Sequence, residues 1–372
     1  MPQQAELSFP ASSDPPLARP AHDTGELVRS LLARGEALLG VPNGGEAVEC
    51  FRVASMLAGD SPDGFDSRPA RLLNRAIRQV VPRWHFAMMN DHDRNTAYEQ
   101  AILATVRPGD VVLDIGTGSG LLALLAAKAG AAKVITCEAE PVIAEAARQI
   151  VQANGYADTI TVVNLRSTQL RVGADLPTRA DVLVTEIFDC ALLGEHALPA
   201  IEHARRELLT PTARLVPRRG RLFGQLVESD RLRSQNHVSM ACGFDVSQFN
   251  QFRSTEYFST YLDNHDHRPL TAPFPLLDID FGTDVPAGAT EVKALPVVSG
   301  TCDAMVMWFE LDLAPGVTLS NSPRRRHTHW RQAVQTFDTR FACDAGLPLS
   351  LRVAHDRERV QVRAFADQPI VD

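Results

Sequence analysis

Apolar positions change their period twice along the chain, and each change marks a different kind of construction. From Thr24, Leu27, Leu31, Leu32 and Leu38 recur at helical spacing as far as Gly40, and Ala47, Cys50, Phe51, Ala54 and Leu57 share one face of a second helical run over 45–58. A third helix is predicted over 68–80. From Asp110 the pattern becomes short apolar, β-branched runs separated by helical ones. VVLDI, KVITC, TITVV and ADVLVT read as buried parallel strands, with helices expected over 121–131, 141–154 and 198–209. After Pro217 the period falls to two: GRLFGQLVES, DAMVMWFELDL, FDTRFACD, LPLSLRVAHD and RVQVRAFAD alternate like antiparallel strands. The predicted fold class is α/β. It has a disordered, Pro- and Ser-rich tail at 1–23, a small helical segment at 24–80, a parallel-sheet domain at 81–217 and an antiparallel β-barrel at 218–372. An inserted arm at about 231–264 carries Phe244, Phe249, Phe252, Tyr257 and Phe258, more aromatic residues than a solvated loop requires, and reads as a surface for a second subunit.

Chemistry enters at the turns that follow the parallel strands. VVLDIGTGSG is a strand with Asp114 near its end, then Gly116, Gly118 and Gly120, then a helical run. Glycines there let the backbone approach a nucleotide. A dinucleotide fingerprint would place its third glycine at 121, where Leu121 stands. The GxGxG spacing instead resembles the first motif of S-adenosylmethionine-dependent methyltransferases, which makes the parallel domain Rossmann-type. Glu138 ends the next strand, placed to accept from ribose hydroxyls, and Ser167 and Thr168 follow the third, where adenine would lie.

TEIFDCALLGE, 185–195, puts Glu186 at the end of the fourth strand and returns Glu195 after an apolar, glycine-ended turn. Two facing carboxylates repel, and a guanidinium between them relieves that repulsion with a planar fork of donors. Taken alone, the stretch also reads as a solvated loop bearing two unrelated acids.

Composition narrows the partners. The 372 residues are 45% hydrophobic and 22% charged with a net charge of −8, which argues against nucleic acid and permits a cationic substrate. Lysine occurs only at Lys128, Lys133 and Lys293, an arginine bias that suggests a high-GC bacterial source. The six cysteines form no CxxC pair, so neither zinc nor a disulfide framework is indicated, and a reducing cytoplasm is the expected compartment. The polar amino terminus reads as neither a signal peptide nor an anchor, and no apolar run reaches the roughly 18 residues of a membrane span.

From Trp84 to Asp372 the chain resembles the protein arginine N-methyltransferases. The resemblance rests on Met88, Asp91 and Arg94 in WHFAMMNDHDR, the LDIGTGSG loop, Glu138, the Glu186 and Glu195 hairpin, and Thr328 to Trp330. TEIFDCALLGE and QLVES look most like the monomethylating branch, while WHFAMMND and the helical hairpin ahead of it resemble the branch that carries tetratricopeptide repeats at its amino terminus. The resemblance implies a homodimer using S-adenosylmethionine and releasing S-adenosylhomocysteine, with no metal. It implies that Arg94 pairs with the cofactor carboxylate, that His85 and Met88 line its methionine side, and that Asp114, Gly116 and Gly118 hold its amino-acid end. Glu138 would hold the ribose, Glu186 and Glu195 the substrate guanidinium, and His329 would pair with Asp91 and close the pocket with Trp330. The YFxxY helix of many members is absent, and Ser167 and Thr168 stand where many use an acid for adenine. Arg324, Arg325 and Arg326 precede the THW loop. They would repel a cationic protein tail and could take the carboxylate of free L-arginine, or they form a solvated charge run. Three alternatives stay open: arginine in a protein or peptide, an oxygen or amine acceptor that needs no paired acids, and a non-catalytic scaffold.

Overall fold

The computed structural model describes residues 24–39, 44–59, 67–325 and 328–365, and its contacts divide the chain into two units, 1–80 and 81–372. In the first unit, α1 (Thr24–Leu38), α2 (Gly44–Leu57) and α3 (Arg68–Val80) pack in sequence, α1 on α2 and α2 on α3. Gly35 permits the first contact: a Cβ there would lie 2.5 Å from Cε1 of Phe51, whose ring is fully buried. The tail expected at 1–23 lies outside the described residues.

The second unit opens with α4 (Trp84–Met89) and α5 (His92–Thr105). It continues through β1 (Val111–Ile115), α6 (Leu121–Lys128), β2 (Lys133–Cys137), α7 (Pro141–Ala153), β3 (Ile160–Val163), β4 (Ala180–Thr185), α8 (Ala197–His203) and β5 (Leu209–Val216). The five strands are parallel in the order β3-β2-β1-β4-β5. Strand order reverses between β1 and β4, so a crevice opens at their carboxyl ends, where such sheets bind ligands. Gly116, Glu138 and Glu186 each follow one of the three central strands and stand at that crevice.

The helix expected over 198–209 is corrected. It ends at His203, one π-helical turn covers 204–208, and the chain then becomes β5. Thr210, Pro211 and Thr212 conceal this strand from a hydrophobic reading. Proline is tolerated because β5 is the edge of its sheet.

β6 (Arg219–Glu228) begins the antiparallel part and pairs with the long strand Gly300–Ala314, which pairs in turn with Gln332–Cys343. A separate three-stranded sheet joins 288–294, 349–355 and 360–364. Gln335 links the two sheets by donating to Val362 O at 2.7 Å and accepting from Val362 N at 2.9 Å. The predicted α/β class, with a Rossmann-type sheet followed by antiparallel strands, is what the fold contains. No described helix is long and apolar enough to cross a membrane.

Candidate active site

Asp91 is the first fixed point. It caps α5, its Oδ1 accepting from Arg94 N at 2.9 Å, while its Oδ2 accepts from His329 N at 2.8 Å and pairs with His329 Nδ1 at 2.9 Å. Burial pushes the Asp91 carboxyl up, but the hydrogen bonds from His329 and from the Arg94 and His329 backbone outweigh it, and the net shift is downward. One side chain thus joins the start of α5 to the loop between Ser320 and Gln332.

Arg94, in the first turn of α5, donates from Nη2 to Glu186 Oε2 at 2.7 Å, with both side chains almost wholly buried at 4% and 5% exposure. Nη1 donates to Asn95 Oδ1, and the guanidinium lies 5.3 Å from the centre of the Tyr98 ring. Arg94 Nε, also buried, has no acceptor. Tyr98, which no motif in the sequence marks, is fully buried and donates to Thr185 O at 3.0 Å, fastening α5 to the strand end before Glu186. Only its position one helical turn beyond Arg94 hints at this.

The loop from Glu186 to Glu195 is gripped at three successive residues. Trp330 Nε1 donates to Phe188 O at 3.0 Å, Tyr257 Oη donates to Asp189 at 2.6 Å, and Asn321 Nδ2 donates to Cys190 O at 3.1 Å. Trp330 is buried, edge-on to Phe309, and in this geometry it braces the loop from behind. Asn321 and Asp189 carry no pattern in the sequence that singles them out, and Tyr257 is marked there only as one of the arm's aromatic residues, whereas its hydroxyl is used within the chain. Glu195 is exposed as a residue, yet protein crowds its carboxyl. Burial pushes that carboxyl up to about 7, with further contributions from Glu186, Asp189 and Glu138.

On the other wall, Gly116, Gly118 and Gly120 have φ of 86°, 50° and 82°, and a Cβ on Gly116 would meet Ile187 Cγ2 at 2.6 Å. Only glycine suits these turns. Glu138 accepts from Gly118 N at 3.1 Å and from Glu140 N at 3.0 Å, which fixes the two loops together. Asp114 is fully buried. Its Oδ2 accepts from Thr136 at 2.6 Å, its Oδ1 has no partner, and burial pushes its carboxyl up to about 7. Met88 Cε approaches Gly118, while His85 stacks on Trp84 and its Nδ1 faces Pro82 O at 3.0 Å. Ser167 (buried) and Thr168 (exposed) form a 3-10 turn with Gln169, after β3. Arg326 lies outside the described residues; Arg324 and Arg325 are exposed. Among the described residues no cluster of His, Cys, Asp or Glu is arranged to hold a metal.

Residues 218–366 match the family model of the arginine methyltransferase oligomerization subdomain, and 92–198 match that of ribosomal protein L11 methyltransferase (PrmA). Over 301 residues the chain is 42% identical to an arginine N(omega)-methyltransferase of Streptomyces achromogenes subsp. streptozoticus, covering 81% of this chain and 83% of that protein. The chain belongs to the arginine methyltransferase family. Protein arginine N-methyltransferase 7 of Cricetulus longicaudatus is 34% identical over 75% of this arginine methyltransferase but only 45% of its own length, so the chain spans less than half of that relative. Among solved structures, the Trypanosoma brucei PRMT1 enzyme-prozyme heterotetrameric complex with AdoHcy gives a TM-score of 0.67 at 24% identity, covering 77% of this chain and 96% of that one. Arabidopsis thaliana protein arginine methyltransferase 10 gives 0.61 at 20% identity, covering 77% and 94%. At these identities the likeness is one of fold.

The family's cofactor, S-adenosylmethionine, fits the residues present. Left-handed glycine turns offer a bare backbone wall, Asp114 Oδ1 lacks a donor, and Arg94 Nε lacks an acceptor. Those two orphaned atoms suit the amino and carboxylate ends of an amino acid.

Proposed function

We propose that the chain methylates the guanidino group of free L-arginine, giving Nω-monomethyl-L-arginine and S-adenosylhomocysteine, as a step in bacterial small-molecule biosynthesis. The observation that carries the guanidine specificity is the buried Arg94–Glu186 pair: the clamp glutamate already holds a guanidinium at 2.7 Å. The cofactor supplies an electrophilic methyl on a sulfonium. Guanidinium is a poor nucleophile, so the protein's part is orientation. Glu186 and Glu195 would grip the substrate fork from two sides, fix one terminal nitrogen and draw positive charge onto the others. Glu195, with its carboxyl near 7, is suited to take the released proton, and the Asp91–His329 pair is the second candidate. Arg94 would leave Glu186 for the cofactor carboxylate, with His85 and Met88 on the methionine side, Asp114, Gly116 and Gly118 at its amino-acid end, Glu138 at the ribose, and Ser167 and Thr168 near adenine.

Free arginine is favoured over a protein tail by Arg324 and Arg325, both exposed beside Thr328 to Trp330 and suited to an α-carboxylate. The Streptomyces relative's name is consistent with a small substrate. Mass spectrometry of the protein with S-adenosylmethionine and either L-arginine or an Arg-rich peptide tests the reading. We expect one methyl on free arginine, and kcat/KM for arginine about 10–100-fold lower in Arg324→Glu/Arg325→Glu, the scale of a lost charged hydrogen bond. Agmatine, which lacks the carboxylate and is a dication, should show no such loss and should gain from the added negative charge. Methylation of the peptide alone would select the protein-substrate reading instead.

The same reading includes a homodimer formed through the arm. Phe244, Phe249 and Phe252 are 73%, 66% and 71% exposed, and the matched oligomerization subdomain contains them. Light scattering should show monomer mass for Phe249→Ser/Phe252→Ser; an unchanged dimer would assign the interface to another surface, the helices of 24–80 being the alternative.

A further inference from the structure

The turn that presents Glu195 is strained, and what holds it lies outside the clamp. Leu192, Glu195 and His196 have φ of 78°, 62° and 60°, a left-handed backbone that non-glycine residues adopt only where their surroundings enforce it. Asp189 enforces it. Its Oδ1 accepts from Ala191 N and Gly194 N, both at 3.0 Å, and its backbone oxygen accepts from Leu192 N at 3.2 Å. Gly194 has to be glycine because a Cβ would overlap the Asp189 carboxyl. A carboxylate pinned so closely has one oxygen left over, and Oδ2 accepts from the Tyr257 hydroxyl at 2.6 Å, a short charge-assisted bond. Arg359 approaches the same hydroxyl at 3.4 Å and lies 5.8 Å from the ring centre. Tyr257 belongs to the inserted arm, far along the chain from the Rossmann-type sheet.

We propose that Asp189 and Tyr257 are positioning residues: the arm's Tyr257 hydroxyl locks Asp189, and Asp189 locks the left-handed turn that aims Glu195 at the substrate guanidinium. This rests on the methyltransferase reading of the clamp. It makes the order of the arm a condition for the order of the Glu195 turn, through the Tyr257–Asp189 hydrogen bond. Neither residue needs to touch a ligand, so cofactor binding should be indifferent to their loss.

Full-length wild type, Tyr257→Phe, Asp189→Ala and the double variant would be compared by hydrogen exchange over 186–196, by steady-state kinetics and by S-adenosylhomocysteine affinity. For Tyr257→Phe we expect about tenfold faster exchange in that segment and about tenfold lower kcat, the lower end of what a charged hydrogen bond contributes. Cofactor affinity should stay within about twofold. The double variant should be no worse than Asp189→Ala, because the tyrosine acts only through the aspartate. Unchanged exchange over 186–196 in Tyr257→Phe, or losses that multiply in the double variant, would overturn the proposal. Should Tyr257→Phe fail to fold, Asp189→Asn asks the same question, since it keeps an acceptor for the two backbone N–H groups but weakens the bond to tyrosine. Loosened exchange in a protein whose wild type methylates neither arginine nor peptide would support the tether while refuting the reading of the site.

Discussion

Glu186→Gln is expected to lower kcat/KM for the arginine substrate by about 10²–10³-fold, the range seen when one preorganised group is removed from a water-excluded site. Its effect on the cofactor should run the other way. Arg94 spends its charge on Glu186 in this structure, and the same guanidinium is the candidate partner of the cofactor carboxylate. Removing the competing carboxylate leaves S-adenosylhomocysteine affinity unchanged or tighter, measurable by calorimetry, while the ligand-free protein loses stability. That loss should fall short of the roughly 3–5 kcal/mol for breaking a buried pair, because Asn95 and the Tyr98 ring still face the guanidinium. Retained turnover in Glu186→Gln would point to an acceptor other than guanidine. Glu195 supplies the companion pH dependence. Its carboxyl is raised to about 7, so below that pH it is protonated, neutral, and able neither to attract a cation nor to accept a proton. kcat/KM should therefore fall about tenfold per pH unit below 7 and level off above it. Glu195→Gln should remove that limb along with most of the rate.

Residues whose chemistry is tied to a strand end are legible in the amino-acid sequence. Gly116, Glu138 and Glu186 follow apolar β-branched runs, and a parallel sheet places every such position on one edge. The Asp91–His329 pairing, reached through the family resemblance, is present at 2.9 Å. What the sequence does not reveal depends on three-dimensional return of the chain. β5 is hidden because its edge position tolerates Thr210, Pro211 and Thr212 without an apolar run. For Arg94 the family resemblance implies a place beside the cofactor carboxylate and nothing more, since its pairing with Glu186 depends on how the start of α5 meets the end of β4. Tyr257 and Asn321 brace one loop from two distant places in the chain, Tyr257 through Asp189 within it, and no local spacing records such an arrangement. The THW motif puts Trp330 near the site, but that its indole holds Phe188 O is a matter of packing.

Asp91→Ala should be the most costly single change to stability in the site, by about 3 kcal/mol. About 1 kcal/mol comes from losing the cap of α5. The remainder comes from leaving two donors of His329 buried without an acceptor, at about 1 kcal/mol each or more. Asn caps a helix nearly as well as Asp, so Asp91→Asn should recover the first contribution and part of the second. The sign of the pH dependence follows from the lowered Asp91 carboxyl. A carboxyl whose folded value lies below its unfolded one stabilises fully above the unfolded value, and that contribution disappears as pH falls through the folded one. The gap between wild type and Asp91→Ala, read from urea unfolding, should accordingly be full at neutral pH and shrink below about pH 3.8. Because the same carboxylate orders the Arg94 backbone at 2.9 Å, activity should fall further than the loss of folded protein accounts for. A variant as stable as wild type at pH 7 would mean that His329 finds another acceptor and that the link between α5 and the loop after Ser320 is not what holds the site closed.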